Sequence, residues 1–499
     1  MWFADAVAAG LEFLATLFVV TIGVTALAVV LMAVVDRLQT RDAVRRNYPV
    51  LGRFRNLFTE LGEFFRQYFF AMDREELPFN RAQRNWVYRA ADGRPSTIAF
   101  GSTRNLTMPG TAIFVSAPFP PLDEMAAKSE PLRIGPYAAQ PYDAPSFFNI
   151  SGMSFGAISR PAVKALSRGA AKAGIWMNTG EGGLSDWHLE GGGDIVFQIG
   201  TAKYGVRDAD GRLSDAKLRK IAEIPQVRMF EIKLSQGAKP GKGGVLPKEK
   251  ITRKIAEIRG ISDKADSLSP NRHPEIATNE DLLDFVAHVR AVTGKPVGIK
   301  TVVGDPGWIE TLAHSVLERG IEAAPDFITI DSGDGGTGAA PMPLMDNVGL
   351  TIREALPLVS DILHRYGLRD RVRVIASGKL VNPVDVAWSL AAGADFVTSA
   401  RGFMFSLGCI QALKCHRNTC PTGITTHNPS LQKGLVPKVK SERVAAYATG
   451  LIHDVEMMAH SCGVNEPRQL RRHHVRIVQE SGRSIPMHEL YPRPEPLST

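Results

Sequence analysis

Apolar positions divide the chain into three stretches of different period. From Phe13 to Val35 there are 23 residues without a charge, "FLATLFVVTIGVTALAVVLMAVV". As a helix this run rises about 34 Å, slightly more than the ~30 Å hydrocarbon core of a bilayer. Residues 51–90 mix Phe, Leu and Arg at helical spacing. That pattern suits either an amphipathic segment on a bilayer surface or a helix packed on the main body. From about Ser146, short apolar runs alternate with helical stretches and glycine-rich loops. The runs are FFNI at 147, IWMN at 175, IVFQIG at 195, MFEIKL at 229, PVGIK at 296, FITI at 327, RVRVIA at 371 and DFVTS at 395. Runs of this kind predict parallel strands buried on both faces. Eight in one series predict a closed (β/α)8 TIM barrel, here preceded by one N-terminal transmembrane helix.

Charge sharpens the reading of the first stretch. The 499 residues carry a net charge of +8, at 44% hydrophobic and 22% charged, an ordinary globular composition. No Lys or Arg precedes Arg37, whereas Arg37, Arg41, Arg45, Arg46, Arg53 and Arg55 follow the span against only Asp36 and Asp42. A cleaved secretory signal has its basic residues first. The positive-inside rule then predicts a single-pass anchor in the cell inner membrane, with the catalytic domain in the cytoplasm. The basic residues face anionic lipid in this reading, not nucleic acid. The expected organisation is an anchor over 1–36, a juxtamembrane helical linker over 37–100, the barrel over 101–430 and a helical extension packed on it over 431–499.

Chemistry is expected in the loops after the strands, since active sites of such barrels lie at the carboxyl-terminal mouth. Loop after loop is rich in Gly, Ser and Thr, which brings backbone close to a ligand. The loops after the seventh and eighth strands, Ser377–Gly378–Lys379 and Ala400–Arg401–Gly402, are where such barrels commonly hold phosphate. No G-x-G-x-x-G follows an early strand, so a nicotinamide-binding unit is not supported. Just past the eighth strand stand Cys409, Cys415 and Cys420, three of the four cysteines in the chain. Their spacing is unlike the paired arms of a zinc site. Three thiolates fall one short of a four-iron cluster and suggest a three-iron one. Cys462 reads as a small buried hydrophobe. A phosphorylated ring cofactor beside an electron-transfer cluster points to FMN and redox chemistry.

The motifs SGMSFGAIS, NTGEGG, SQGAKPGKGG, SGDGGTGA and GCIQALKCHRNTCPTGI resemble, in order and spacing, the FMN-binding synthase domain of the glutamate synthase family, over roughly residues 145–430. The resemblance implies FMN contacts at Met153, Ser154, Thr179, Gln198, Lys300, Gly335, Gly336, Gly378 and Ala400. It also implies a 3Fe-4S cluster on Cys409, Cys415 and Cys420. A keto-acid site is implied at Glu181, Lys239 and Arg259, with Lys300 placed against the flavin. The bland alternative for Lys300 is a strand-end salt bridge. Where the family commonly reads KPGEGGQLP this chain has KPGKGGVLP, so Lys242 and Val245 depart from the pattern and put 2-oxoglutarate in question as the substrate. Residues 1–145 are too few for an amidotransferase domain, so ammonia or a separate glutaminase is the expected nitrogen source. Electrons are expected from a ferredoxin-like or membrane donor. Reductive amination of a 2-oxo acid is the leading expectation. The alternatives are an amino- or hydroxy-acid dehydrogenase feeding a membrane pool and a non-catalytic electron-transfer or scaffold subunit.

Overall fold

The computed structural model describes residues 2–126 and 128–497, apart from the side chains at 56, 60, 63, 64, 66, 67 and 123. Its contacts divide the chain into two units, one ending at Ala82 and the other beginning at Gln83.

In the first unit a single helix runs over Trp2–Leu38, with an apolar window long enough to cross a membrane and none of that window buried in protein. At its end Asp36 is fully buried and turns the chain back. Its carboxylate accepts from Arg45 Nη2 at 2.6 Å, from Arg53 Nε at 2.8 Å and from the Val50 N–H at 3.0 Å. Two of the six flanking arginines are thus paired with a carboxylate, which lowers the free positive charge below what a count of residues gives. The helix Leu51–Phe65 and a π-turn over Arg66–Phe70 follow, with Phe54, Phe58, Phe69 and Phe70 exposed.

The second unit contains the expected barrel. Its strands are β1 (Phe148–Ile150), β2 (Met177–Asn178), β3 (Ile195–Ile199), β4 (Val227–Lys233), β5 (Val297–Val302), β6 (Phe327–Asp331), β7 (Arg373–Ser377) and β8 (Phe396–Ser399). All pairings are parallel, and β8 closes on β1 through Val397–Phe148 and Ser399–Ile150. Each strand falls on one of the eight apolar runs, because a strand covered on both faces has no reason to alternate polar residues.

The amino-terminal end of the barrel is plugged by the antiparallel hairpin Leu132–Ile134 and Tyr142–Ala144. Its Ile134, Tyr142 and Ala144 pack with Trp176, Met229, Phe327 and Phe396 in one buried cluster. At the outside, helix Pro437–Ser461 crosses helix Arg160–Ala173. A Cβ at Gly169 would lie 2.4 Å from Val444 Cγ1, so only glycine permits the approach. The strand Val475–Val478 pairs antiparallel with Ala112–Phe114, a link between the two ends of this unit. With one end plugged and the outside covered, the polar carboxyl-terminal mouth is the open face.

Candidate active site

Polar residues enter the barrel from the last residues of the strands. Gln198 on β3 and Glu231 on β4 are register partners. Gln198 Nε2 donates to Glu231 Oε1 at 2.7 Å, and Asn178 Nδ2 donates to the same oxygen at 2.8 Å. Thr329 Oγ1 donates to Glu231 Oε2 at 2.6 Å. A buried carboxylate needs such partners to repay its lost hydration. Its acceptor character also fixes which end of the Gln198 amide points inward.

One layer higher, Lys300 on β5 stands in register with Lys233 on β4 and Thr329 on β6. Lys300 Nζ lies 3.4 Å from Asp331 Oδ2, and that oxygen also accepts the Gly237 N–H at 2.9 Å. Lys300 therefore makes the strand-end ion pair and also lines the mouth.

Above this layer opens a cavity of about 340 Å³. Glu181 reaches it from the turn Gly180–Gly182, Lys239 from the loop after β4, and Arg259 from the end of helix Arg253–Arg259. The structure thus brings the three residues expected at a keto-acid site onto one wall. Met153, Ser154, Gln198, Gly336 and Ala400 line the same cavity. Its floor continues as a narrow cleft past Lys300, Gly336, Gly378, Ala400 and Arg401 to Ser377 and Lys379. Thr179 and Gly335 do not line either space. The Thr179 hydroxyl is spent inside the wall, accepting from the Gln198 N–H at 3.1 Å and donating to the Gly180 carbonyl at 2.9 Å. Gly335 is turned back by its N–H to the Ser332 carbonyl, at 2.8 Å.

Three further cations line the cavity: Lys233 and Lys250, which were not among the expected site residues, and Arg401, expected only as part of the loop after the eighth strand. Lys233 donates to Glu181 Oε2 at 2.9 Å and to Gln236 Oε1 at 2.7 Å. Lys250, only 3% exposed, donates to the carbonyls of Ala157 at 2.9 Å and Cys415 at 3.2 Å. Arg401 donates to the Thr337 carbonyl and has Nη1 3.8 Å from Cys415 Sγ. Lys233 could have been suspected as a cation ending a strand, like Lys300. Of the two departures from the family pattern, Val245 lines the cavity, whereas Lys242 is exposed and does not.

The charges make a cationic cavity: Lys233, Lys239, Lys250, Arg259 and Arg401 against one lining carboxylate among the described residues, Glu181. Burial by itself would raise the Glu181 carboxyl. The Lys233 ammonium, with help from Lys239 and Arg259, overcomes that and lowers its pKa to about 2. Burial lowers Lys239, and repulsion from Lys233 adds to it. Burial likewise lowers Lys250, to about 8, although Cys415 and Cys420 pull the other way. The Arg259 guanidinium lies over the Tyr204 ring at 4.9 Å. Its Nη2 finds only long contacts, 3.5 Å to Ser154 Oγ and 3.4 Å to the Phe155 carbonyl. Its Nε is buried with no hydrogen-bond partner. A buried, under-satisfied guanidinium at the wall of a cavity fits an anionic ligand.

The cleft fits the phosphate end of FMN. Lys379, paired with Asp334 at 2.9 Å, and Arg401 are the cations there, and the walls are pared to glycine where they narrow. A Cβ at Gly336 would lie 2.9 Å from Arg401 Nε, and Gly378 has φ +111° with its Cβ position 2.4 Å from Ser332 Cβ. The three cysteines are free thiols on one loop after β8. No three His, Cys, Asp or Glu side chains converge as a single-ion site among the described residues. A three-iron cluster asks for something wider, one thiolate per iron. The loop is wound tightly, with Gln411, Leu413 and Asn418 at φ of 58°, 53° and 56°. Left-handed backbone at three non-glycine residues is costly and marks a loop shaped for a purpose. Burial pushes the Cys409 thiol up. At Cys420 hydrogen bonds from Thr422 and Thr425 outweigh burial and bring the thiol down.

Residues 124–465 match the model of the conserved region in glutamate synthase. The chain belongs to the glutamate synthase family. It is thereby an oxidoreductase of the glutamate synthase type. It is 39% identical to the glutamate synthase large subunit-like protein YerD of Bacillus subtilis, over 93% of this chain and 96% of that one. It is 34% identical to the archaeal glutamate synthase [NADPH] of Archaeoglobus fulgidus, over 64% of this chain and 60% of that one. The chain thus spans about three fifths of the archaeal relative. Among solved structures, the flavin-binding domain of baker's yeast flavocytochrome b2 superposes with a TM-score of 0.46 at 13% identity, over 84% of this chain and 86% of that one.

Proposed function

We propose that this glutamate synthase family member reductively aminates a 2-oxo acid at the barrel mouth, using FMN and a 3Fe-4S cluster on Cys409, Cys415 and Cys420. What carries the reading is one cavity that collects Glu181, Lys239 and Arg259 on one wall and leads past Gln198 and Lys300 to the Lys379–Arg401 cleft. When bound, FMN supplies two-electron hydride chemistry and the cluster supplies single electrons. The balance is one 2-oxo acid, one ammonium ion, two electrons and two protons giving one amino acid and one water.

This chain's own residues do the rest. Arg259 and Lys239 hold the substrate carboxylates, Arg259 with a planar fork and Lys239 as a point charge. Glu181 stays ionised at neutral pH, so it acts as a fixed anion for an ammonium or iminium nitrogen and not as a proton donor. Lysines 233 and 300 put positive charge beneath the substrate, where negative charge arrives on reduction. Gln198, pinned by Glu231, offers an oriented amide to the flavin ring. Met153, Ser154, Gly335, Gly336, Gly378, Ala400 and Thr179 shape its bed, Thr179 and Gly335 from within the wall.

Helix Trp2–Leu38 is the proposed membrane anchor, with the body in the cytoplasm and electrons taken from a ferredoxin-like or membrane donor. Val245 favours a second reading, in which a less polar amino or hydroxy acid is oxidised and electrons leave to the membrane pool. Anaerobic, flavin-reduced protein mixed with 2-oxo acids and ammonium separates the two. Formation of a labelled amino acid from 15N-ammonium is expected. Flavin reduction by amino acids with no amination in any mixture would overturn the first reading. Purified protein should carry FMN and about three irons with sulfide per chain, by the cysteine count.

A further inference from the structure

Lys250 has no part in the chemistry above, yet it is one of the most buried cations in the body, at 3% exposure. It lies in the turn Lys248–Lys250 that follows the strand Val245–Leu246. Its ammonium is held between two loops. One partner is the Ala157 carbonyl in the loop after β1, at 2.9 Å; the other is the Cys415 carbonyl in the cysteine loop, at 3.2 Å. The two loops are tied a second time, where His427 Nε2 donates to the Gly156 carbonyl at 2.9 Å. Asn418 Nδ2 also donates to the Glu249 carbonyl at 3.0 Å, so the turn carrying Lys250 is itself strapped to the cysteine loop. No carboxylate is paired with Lys250 among the described residues. The groups within electrostatic reach of it are Cys415 and Cys420, which become anionic as thiolates, and the like-charged Arg259. An unpaired buried ammonium is expensive unless something anionic compensates it.

We infer that Lys250 is a positioning residue that sets the reduction potential of the cluster on Cys409, Cys415 and Cys420 while clasping the cysteine loop to the loop that lines the cavity. The inference rests on the cluster reading of the previous section. Each reduction adds one negative charge to the cluster, and a cation held on the backbone of one of its cysteines favours the reduced form. The same ammonium fixes the distance between cluster loop and cavity, on which electron transfer depends.

The test is potentiometry of the cluster in the full-length holoprotein, followed by its electron paramagnetic resonance signal, with iron and sulfide assayed on every sample. Lys250→Met removes charge and donors, Lys250→Gln removes charge and keeps a donor, and Lys250→Arg keeps both. The expected result is a lower potential in the Met and Gln variants, by at least tenfold in the reduced-to-oxidised ratio, or about 59 mV for one electron. The Arg variant should stay at the wild-type value. Loss of iron in both neutral variants, with iron retained in Arg, shows the same charge requirement acting at assembly. A wild-type potential in an iron-loaded Met or Gln variant overturns the inference, as does an equal fall in Arg. Wild-type protein without iron and sulfide overturns the cluster reading itself, and this inference with it.

Discussion

Replacing Lys233 by methionine tests the electrostatics of the mouth at the ion pair that holds Glu181. Lys233 Nζ lies 2.9 Å from Glu181 Oε2, with the two side chains 13% and 20% exposed. Against burial, which would raise it, Lys233 with help from Lys239 and Arg259 holds the Glu181 carboxyl at a pKa of about 2, against an ordinary 4.5. Together these cations stabilise the ionised form by on the order of 3.4 kcal/mol, with Lys233 the largest contributor. Because the folded pKa is depressed, this stabilisation is fully present above pH 4.5. It is lost as pH falls from 4.5 toward 2. In Lys233→Met the burial of Glu181 remains and its largest attraction is gone, so the carboxyl rises toward or above its ordinary value. Methionine also removes a buried ammonium, which offsets part of the loss. The net destabilisation at pH 7 should therefore be about 2–3 kcal/mol, below the full cost of breaking a buried pair. Thermal unfolding of wild type and variant between pH 3 and pH 7, in one detergent, measures it. The gap between the two Tm values should be widest at pH 6–7 and should narrow steadily below pH 4.5. A gap that stays constant from pH 7 to pH 3 would show that Lys233 does not hold Glu181 ionised.

Four further outcomes are expected. Glu231→Met leaves Asn178, Gln198 and Thr329 without an acceptor and should cost several kcal/mol, at about 1–3 kcal/mol for each stranded group. Glu231→Gln can still accept from both amides and donate to the Thr329 hydroxyl, so its Tm should fall much less; equal falls would refute the network. Lys300→Met should lower the FMN potential while flavin binding persists. The ceiling is about 4 kcal/mol for a charge at 4 Å with an effective dielectric of 20, and Asp331 at 3.4 Å already cancels part of it. An unchanged or raised potential would place Lys300 away from the flavin. Val245→Gln restores an amide on the cavity wall and should raise kcat/KM for 2-oxoglutarate relative to an apolar 2-oxo acid by about tenfold, or ~1.4 kcal/mol; no change in the ratio means position 245 does not touch substrate. Removing residues 1–38 should release the protein from membranes, and persistence after a high-salt wash would shift the anchor to the exposed phenylalanines of 54–70.

What could be read in the sequence and what could not divide along a physical line. The eight strands were legible because a parallel strand covered on both faces must be apolar along its length, which is a local property. The cysteine loop and the glycine loops were legible because spacing and glycine are local too. Lys250 was not, since "LPKEK" looks like any solvated turn and its burial is decided by Ala157 and Cys415, 93 and 165 residues away in the chain. Tyr88 escaped for the same reason; its hydroxyl donates to the Cys409 carbonyl across 321 residues. The chain's contacts divide at Ala82, with Gln83 onward in the same unit as the barrel. Thr179 and Gly335 show the converse limit. A motif position marks a place near the cofactor bed, not which way the side chain turns, and at Thr179 the Gln198 N–H had the nearer claim.

Register turns these separate residues into a site. In a parallel barrel each strand is fixed against both neighbours, and a slip by one residue would send every side chain to the opposite face. Lys300 opposite Lys233, and Gln198 opposite Glu231, are therefore consequences of closure and not of any local motif. Two adjacent lysines at one height repel, so each requires a carboxylate of its own. Glu181 serves Lys233 and Asp331 serves Lys300. That allotment leaves Lys239 and Arg259 on the wall without a full partner, a shortfall that the proposed substrate carboxylates would fill. The same sheet geometry that makes the barrel stable thus leaves its mouth short of negative charge, which is the property the proposed function uses to hold a carboxylate substrate.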